Sequence, residues 1–226
     1  MHITELCLDT QNFQEQLHFY TNILGLPLKE KTSEAFTVQA GTTHLTFRET
    51  TRETGYHFAF TIPNNKFAKA KEWVTTRTPL LTQNDQNEFF LENWNSNSLY
   101  FRDSANHILE FIAHYDLHNE HYGAFGAADL LYISEIGMAF GDVPEQVKTL
   151  RTEFHIEPYR NSIGEAFAAV GDISGLFIIV KIGRNWFPTS TGAIVSPVEV
   201  TIEGVEGHSQ QLLPYPYHVS VKERLV

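Results

Sequence analysis

Cysteine is nearly absent: Cys7 is alone in 226 residues, so no internal disulfide can form and a reducing, cytoplasmic compartment is the expectation. Basic side chains are scarce too. Sixteen Lys and Arg stand against 27 Asp and Glu, a formal charge of −11, and such a field repels phosphate backbones, which excludes nucleic acid as a partner. No apolar run approaches the about 20 residues of a membrane span. The start, Met1-His2-Ile3-Thr4-Glu5, lacks the basic and apolar segments of a secretion signal. Disorder is excluded by what is present, 42% hydrophobic and 13% aromatic residues, enough apolar surface for a core. At ~150 residues per domain the chain makes one large domain or two small ones.

Residues 3–9 alternate as a strand, with Leu6 and Leu8 on one side and Glu5, Cys7 and Asp9 on the other. Asn12 is placed to cap a helix whose Phe13, Leu17, Tyr20 and Leu24 share a face, and Gly25 and Pro27 end it. Short strand-like runs follow at 27–31, 35–40 and 43–49, with a turn at Gly41. The pattern then restarts: a strand over 56–62, a helix over about 66–75, and strands near 80–82, 88–93, 98–102 and 107–113. Residues 117–130 read as a linker. After it the beginning returns at an offset near 130. Ile3-Thr4-Glu5-Leu6 reappears as Ile133-Ser134-Glu135-Ile136, the helix start at Asn12 reappears at Asp142, and Glu34-Ala35-Phe36 reappears as Glu165-Ala166-Phe167. The chain thus divides into two units, 1–53 and 54–116, paired as one domain. The linker follows, and then 131–226, a third, degenerate unit and an incomplete fourth with strands at 197–204 and 214–222.

The apolar faces of these strands, carrying Leu6 and Leu8, Leu45 and Phe47, Phe58 and Phe60, Leu109 and Phe111, are expected against the helices. The opposite faces then carry Glu5, His44, His57 and Glu110. Polar groups turned inward must line something wet, pair, or bind an ion. Two imidazoles and two carboxylates suit a divalent cation such as Ni, Co, Fe, Mn or Zn, with positions left for water or a chelating substrate. The position of His44 depends on the register of residues 43–49, because a one-residue slip reverses the face.

Residues 1–116 resemble the vicinal oxygen chelate superfamily, which includes glyoxalase I, bleomycin- and fosfomycin-resistance proteins and extradiol dioxygenases. The resemblance rests on Glu5-Leu6-Cys7-Leu8 through Phe19-Tyr20 and Leu24-Gly25-Leu26, on Tyr56-His57-Phe58-Ala59-Phe60, and on Asp103-Ser104-Ala105-Asn106-His107-Ile108-Leu109-Glu110. It implies an α+β fold of repeated βαβββ modules, paired into a cup-shaped sheet with one metal ligand from each of four strands. Carried over, those ligands are Glu5, His44, His57 and Glu110. Glu5 stands where the family usually has His or Gln, and His44 where it often has Glu. His57 and Glu110 match the usual His and Glu. In the turn before the last strand Ser104 replaces the usual Pro and Asn106 the usual Gly, an exchange the turn tolerates.

The resemblance implies a metal-dependent lyase, isomerase or dioxygenase acting on a small oxygen-rich molecule, with Glu110 or Glu5 as catalytic base. It equally accommodates a non-catalytic binding or sequestering protein on the same cup, whose acidity suits a cationic ligand, or an assembly protein with a vestigial site. Arg48 and Thr46 share the face of His44 and fit an anionic substrate or an ordinary strand surface. Trp94, Phe90 and Tyr100 fit an aromatic pocket or core packing. His114, His118 and His121 read as solvated linker, and Cys7 as an isolated thiol. The third unit keeps Glu135 at the place of Glu5, but its strand at 176–181 is almost wholly apolar. No metal is expected there, and the unit is expected to pack on the first cup or form a homodimer contact.

Overall fold

In a computed structural model, which describes residues 1–222, the alternation at the start folds into β1 (His2–Thr10), with Leu6 and Leu8 buried. Helix α1 (Phe13–His18) continues into a wide π-helical turn, Phe19–Ile23. Asn12 does not cap it; its side chain instead donates to the carbonyl of Ser104, 3.0 Å away in the second module. Strands β2 (Leu28–Lys31), β3 (Ala35–Ala40) and β4 (Thr43–Glu49) complete the first module.

The second module is β5 (His57–Thr61), α2 (Phe67–Thr75), β6 (Phe89–Leu91), β7 (Ser96–Arg102) and β8 (Ile108–His114). The run at 80–82 forms only an isolated bridge, Leu80 to Phe101. The repeat holds in the third module: β9 (Tyr132–Phe140) lies 130 residues after β1, followed by α3 (Val143–Phe154), β10 (Pro158–Ile163), β11 (Phe167–Asp172) and β12 (Gly175–Lys181). Asp142 caps α3 by accepting the Glu145 amide at 2.9 Å. The fourth module has strands only, β13 (Val198–Glu203), β14 (Gln210–Gln211) and β15 (Tyr217–Val221). The result is an α+β fold, mostly strands, curled into two sheets. No helix among the described residues is long and apolar enough to cross a membrane.

The pairing of the modules differs from the expectation. The first and second do not share a sheet. The first joins the incomplete fourth in a seven-stranded sheet, β14-β15-β13-β1-β4-β3-β2, and the second joins the third in an eight-stranded sheet, β10-β11-β12-β9-β5-β8-β7-β6. The physical reason is coverage. In β9 and β12 nearly every residue is buried, as in central strands covered on both faces. The helix-facing sides of both sheets share one core with α1, α2 and α3. Thr43 ties the sheets together: its hydroxyl donates to the Ile3 carbonyl at 2.8 Å and accepts the Ile133 amide at 3.0 Å.

Residues 117–130 are not a loose linker. Phe125 packs on Trp73 and Phe111, and the buried Lys66 ammonium meets Asp129 at 2.7 Å. His114 is the buried last residue of β8 rather than a solvated one. His121 is half-exposed and meets Asp129 at 3.1 Å.

A buried carboxylate locks α1 to the turn before β8. Asp103 accepts from Gln16 Nε2 at 2.7 Å, Tyr20 Oη at 3.0 Å, the His107 amide at 2.9 Å and the Ala105 amide at 3.0 Å, and its Oδ2 lies 2.9 Å from His107 Nδ1. Burial alone raises its pKa, but His107 and Gln16 hold it below the usual carboxylate range. Asp103→Ala leaves these donors unpartnered inside the protein and is expected to cost about 3 kcal/mol or more in denaturant unfolding; a loss below ~1 kcal/mol contradicts this role.

Candidate functional site

The antiparallel seam between β5 and β9 builds the site. Ala59 faces Glu110 across the parallel β5–β8 pair and faces Glu135 across the β5–β9 pair. The three lie side by side on neighbouring strands, each about 4.8 Å from the next. The central one is only a methyl group, so the two longer carboxylates converge above it. His57, two residues before Ala59 on the same face of β5, closes the triangle. One ligand atom from each of His57, Glu110 and Glu135 lies within 4.8 Å of the others, and all three residues are buried. His57 Nε2 stands 3.6 Å from Glu110 Oε2. Its Nδ1 lies 3.2 Å from the Ile108 carbonyl, which can only accept a hydrogen bond. That contact places the proton on Nδ1 and leaves the Nε2 lone pair facing the carboxylates.

Burial holds the His57 imidazole down to about 4, an effect the Ile108 carbonyl only partly offsets, and the charge of Arg184 adds to it. Burial pushes the Glu110 carboxyl up to about 7 despite the neighbouring Ser98 and Tyr100 hydroxyls. Glu135 is raised well above the carboxylate range by burial and by the charge of Glu110. Glu110 Oε1 and Glu135 Oε1 are buried without a hydrogen-bond partner. Two buried acids with free lone pairs beside a neutral imidazole lack only a cation, and a divalent ion fits this donor set.

Above the triad opens a cavity of about 490 Å³. Phe90, Trp94 and Tyr100 line it, with Phe167, Trp186 and Phe187 from the third module and the segment after it. Trp186 packs 5.0 Å from the His57 ring, an approach that requires glycine at 137: a Cβ there would sit 2.5 Å from the indole. Ile178 holds the fourth ligand position. Glu110 pairs with the residue two beyond His57; two beyond Glu135 is Gly137, and its partner on β12 is Ile178.

Glu5 and His44 do not join His57 and Glu110. They lie on the other sheet, where they line a separate polar cavity of about 620 Å³ together with Thr46, Cys7 and Glu199. The sides of their strands are those expected, but the sheet is not. His44 is also out of step: β4 sets it opposite Glu5, whereas the register of Glu110 corresponds to Thr46, opposite Cys7. The counterpart of Glu135 there is Glu199, also opposite Cys7. There the Arg48 guanidinium reaches Glu199 at 2.5 Å and Asp9 at 3.0 Å, and Arg48 and Thr46 stand on β4, in the sheet that does not carry the triad. Burial pushes the Cys7 thiol up to about 11, which leaves it protonated and unreactive at neutral pH.

Glu135, Trp186 and Arg184 line the same cavity and are residues that the sequence reading does not select. The signal for Glu135 was present, since the 130-residue offset sets it on Glu5; the apolar run at 176–181, read as packing, is the wall of the cup. For Trp186 and Arg184 no periodic signal exists, because they come from an irregular segment after β12.

No family model matches the sequence, and no curated protein matches it. Solved structures do. A candidate dioxygenase from Bacillus subtilis subsp. subtilis str. 168 superposes with a TM-score of 0.62 at 14% identity, over 90% of this chain and 70% of that one. A mutant glyoxalase I from Zea mays gives 0.55 at 12% identity, over 88% and 74%. A glyoxalase/bleomycin resistance protein/dioxygenase from Alicyclobacillus acidocaldarius matches only half of this chain, at 20% identity and a TM-score of 0.44. The βαβββ modules, their pairing into a cup and the first two likenesses agree: the chain has the vicinal oxygen chelate fold, that of the glyoxalase/bleomycin resistance/dioxygenase proteins.

Proposed function

We propose that the His57/Glu110/Glu135 cavity is the active site of a divalent-metal-dependent enzyme acting on a small oxygen-rich molecule, a lyase, isomerase or dioxygenase. The observation that carries this reading is the convergence of three buried ligand side chains, two of which, Glu110 and Glu135, each hold a carboxylate oxygen without a hydrogen-bond partner among the described residues. His57 Nε2 and the two carboxylates would hold the ion, and with Ile178 at the fourth position the open side faces the cavity. When bound, the metal supplies Lewis-acid stabilisation for the anionic form of a substrate offering two adjacent oxygens.

The chain's own residues do the rest. The Ile108 carbonyl fixes the imidazole tautomer. Trp186 and Tyr100 flank His57 and exclude water, which strengthens every charge interaction inside. Glu110 Oε1, left without a hydrogen-bond partner, would be the oxygen that takes up a substrate proton.

Calorimetric titration with Mn(II), Fe(II) or Co(II) is expected to show one site per chain. His57→Ala, Glu110→Gln and Glu135→Gln each lower the affinity by ~100-fold or more, while Glu5→Gln and His44→Ala leave it unchanged. Loss of the site in the last two variants, or its retention in Glu135→Gln, refutes the reading.

Filling the space above Ala59 is a second test. Ala59→Leu is expected to abolish metal binding while the protein still unfolds cooperatively; undiminished binding counts against convergence of the carboxylates at this point.

Stability should follow pH with a defined sign. The carboxyl of Glu110 has an ordinary pKa of 4.5 and a folded value near 7, so the folded state holds the extra proton between them. The stabilisation this gives is complete below the lower value and lost as pH rises through the upper one. In metal-free protein the melting temperature of the wild type should therefore fall relative to Glu110→Gln between about pH 5 and about pH 8. Saturating Mn(II) should reverse the order at the upper end. A pH-independent difference between the two melting temperatures contradicts the buried-acid account.

A further inference from the structure

Among the described residues Arg184 is the one Lys or Arg in the wall of the cavity above the triad, and none of them pairs it with a carboxylate. Its side chain is half-buried, with the guanidinium 5.0 Å over the Phe167 ring. Among the described residues its one side-chain hydrogen bond goes from Nη1 to the carbonyl of the adjacent Asn185, at 3.2 Å. No carboxylate among the described residues lies within ion-pair distance, whereas Arg48, Arg151 and Arg160 all have one. A half-buried guanidinium without a counter-charge is placed to meet an anion from outside.

The residue is also held in place. Residues 183–193 form a hairpin in which the Gly183 amide donates to the Ala193 carbonyl at 2.8 Å and the Ala193 amide to the Arg184 carbonyl at 2.8 Å. Arg102 Nη2 anchors the hairpin through Thr191 Oγ1 at 2.8 Å. Arginine on a fixed backbone beside an aromatic face is the geometry for bidentate binding of a carboxylate. Phe167, under the guanidinium, stands on β11, three strands from Ala59 and about 14 Å along the sheet. Anion and chelating oxygens therefore engage different parts of one ligand, with Trp94, Trp186 and Phe187 around the body between them. Charge points the same way. A divalent ion cancels Glu110 and Glu135, which leaves Arg184 opposed only by the solvent-exposed Glu92 at the rim.

We infer that Arg184 binds a carboxylate on the substrate, so that the substrate class is a flat, oxygen-rich organic acid rather than the cationic ligand that overall acidity suggests. The inference rests on the proposed metal-dependent reading of the same cavity, but it has its own readout. The probes are 3,4-dihydroxybenzoate and its neutral isostere 3,4-dihydroxybenzamide, titrated with and without Mn(II) and followed by quenching of Trp94 and Trp186. The wild type is expected to bind the acid about tenfold or more tightly than the amide. Arg184→Gln removes that preference by weakening the acid alone, and Arg184→Lys keeps part of it as a point charge. Equal affinities in the wild type, an acid affinity untouched by Arg184→Gln, or no saturable quenching by either probe overturns the inference. A preference for the acid that survives without Mn(II) and is lost in Arg184→Gln upholds the anion site while removing support from the metal reading.

Discussion

The antiparallel seam between β5 and β9 is the constraint on which the rest depends. It puts Ala59 between Glu110 and Glu135, and so brings two carboxylates from different modules over one methyl group. Moving the seam by one residue turns Glu135 to the helix side and leaves His57 and Glu110 as an ordinary buried pair. The remaining features follow from the register: the common contact zone of three ligands, the depressed imidazole, the raised acids and the cavity above them.

The two sheets are instructive side by side. Equivalent positions carry His57, Glu110 and Glu135 in one, and Glu5, Thr46 and Glu199 in the other. In the first, acids are buried without a partner and their proton affinity rises. In the second, Glu5 and Glu199 are exposed and the Arg48 guanidinium supplies the positive charge. The same fold thus meets excess negative charge in two ways, and among the described residues only the first gathers three buried ligand atoms at one point.

Much of this was legible in the sequence, and the boundary is physical. Alternation assigned Leu6, Leu8, Phe58 and Phe60 to the core and Glu5, His57 and Glu110 to the opposite faces, because side-chain direction in a strand is a local property. The repeat at 130 and the capped helix at Asp142 were legible for the same reason. Sheet partnership is not local. Nothing in residues 54–61 records that β5 lies beside β9 rather than β1, so pairing modules that are neighbours in sequence selects Glu5 and His44 in place of Glu135. His44 failed separately, through register. Arg184 and Trp186 lay beyond reach because an irregular hairpin has no period to read.

A crystal of the protein soaked in Mn(II) and measured by anomalous diffraction tests the central claim most directly. The account predicts one strong anomalous peak within bonding distance of His57 Nε2 and of a carboxylate oxygen from each of Glu110 and Glu135. A peak in the Glu5–His44 cup, or none on either sheet, contradicts it.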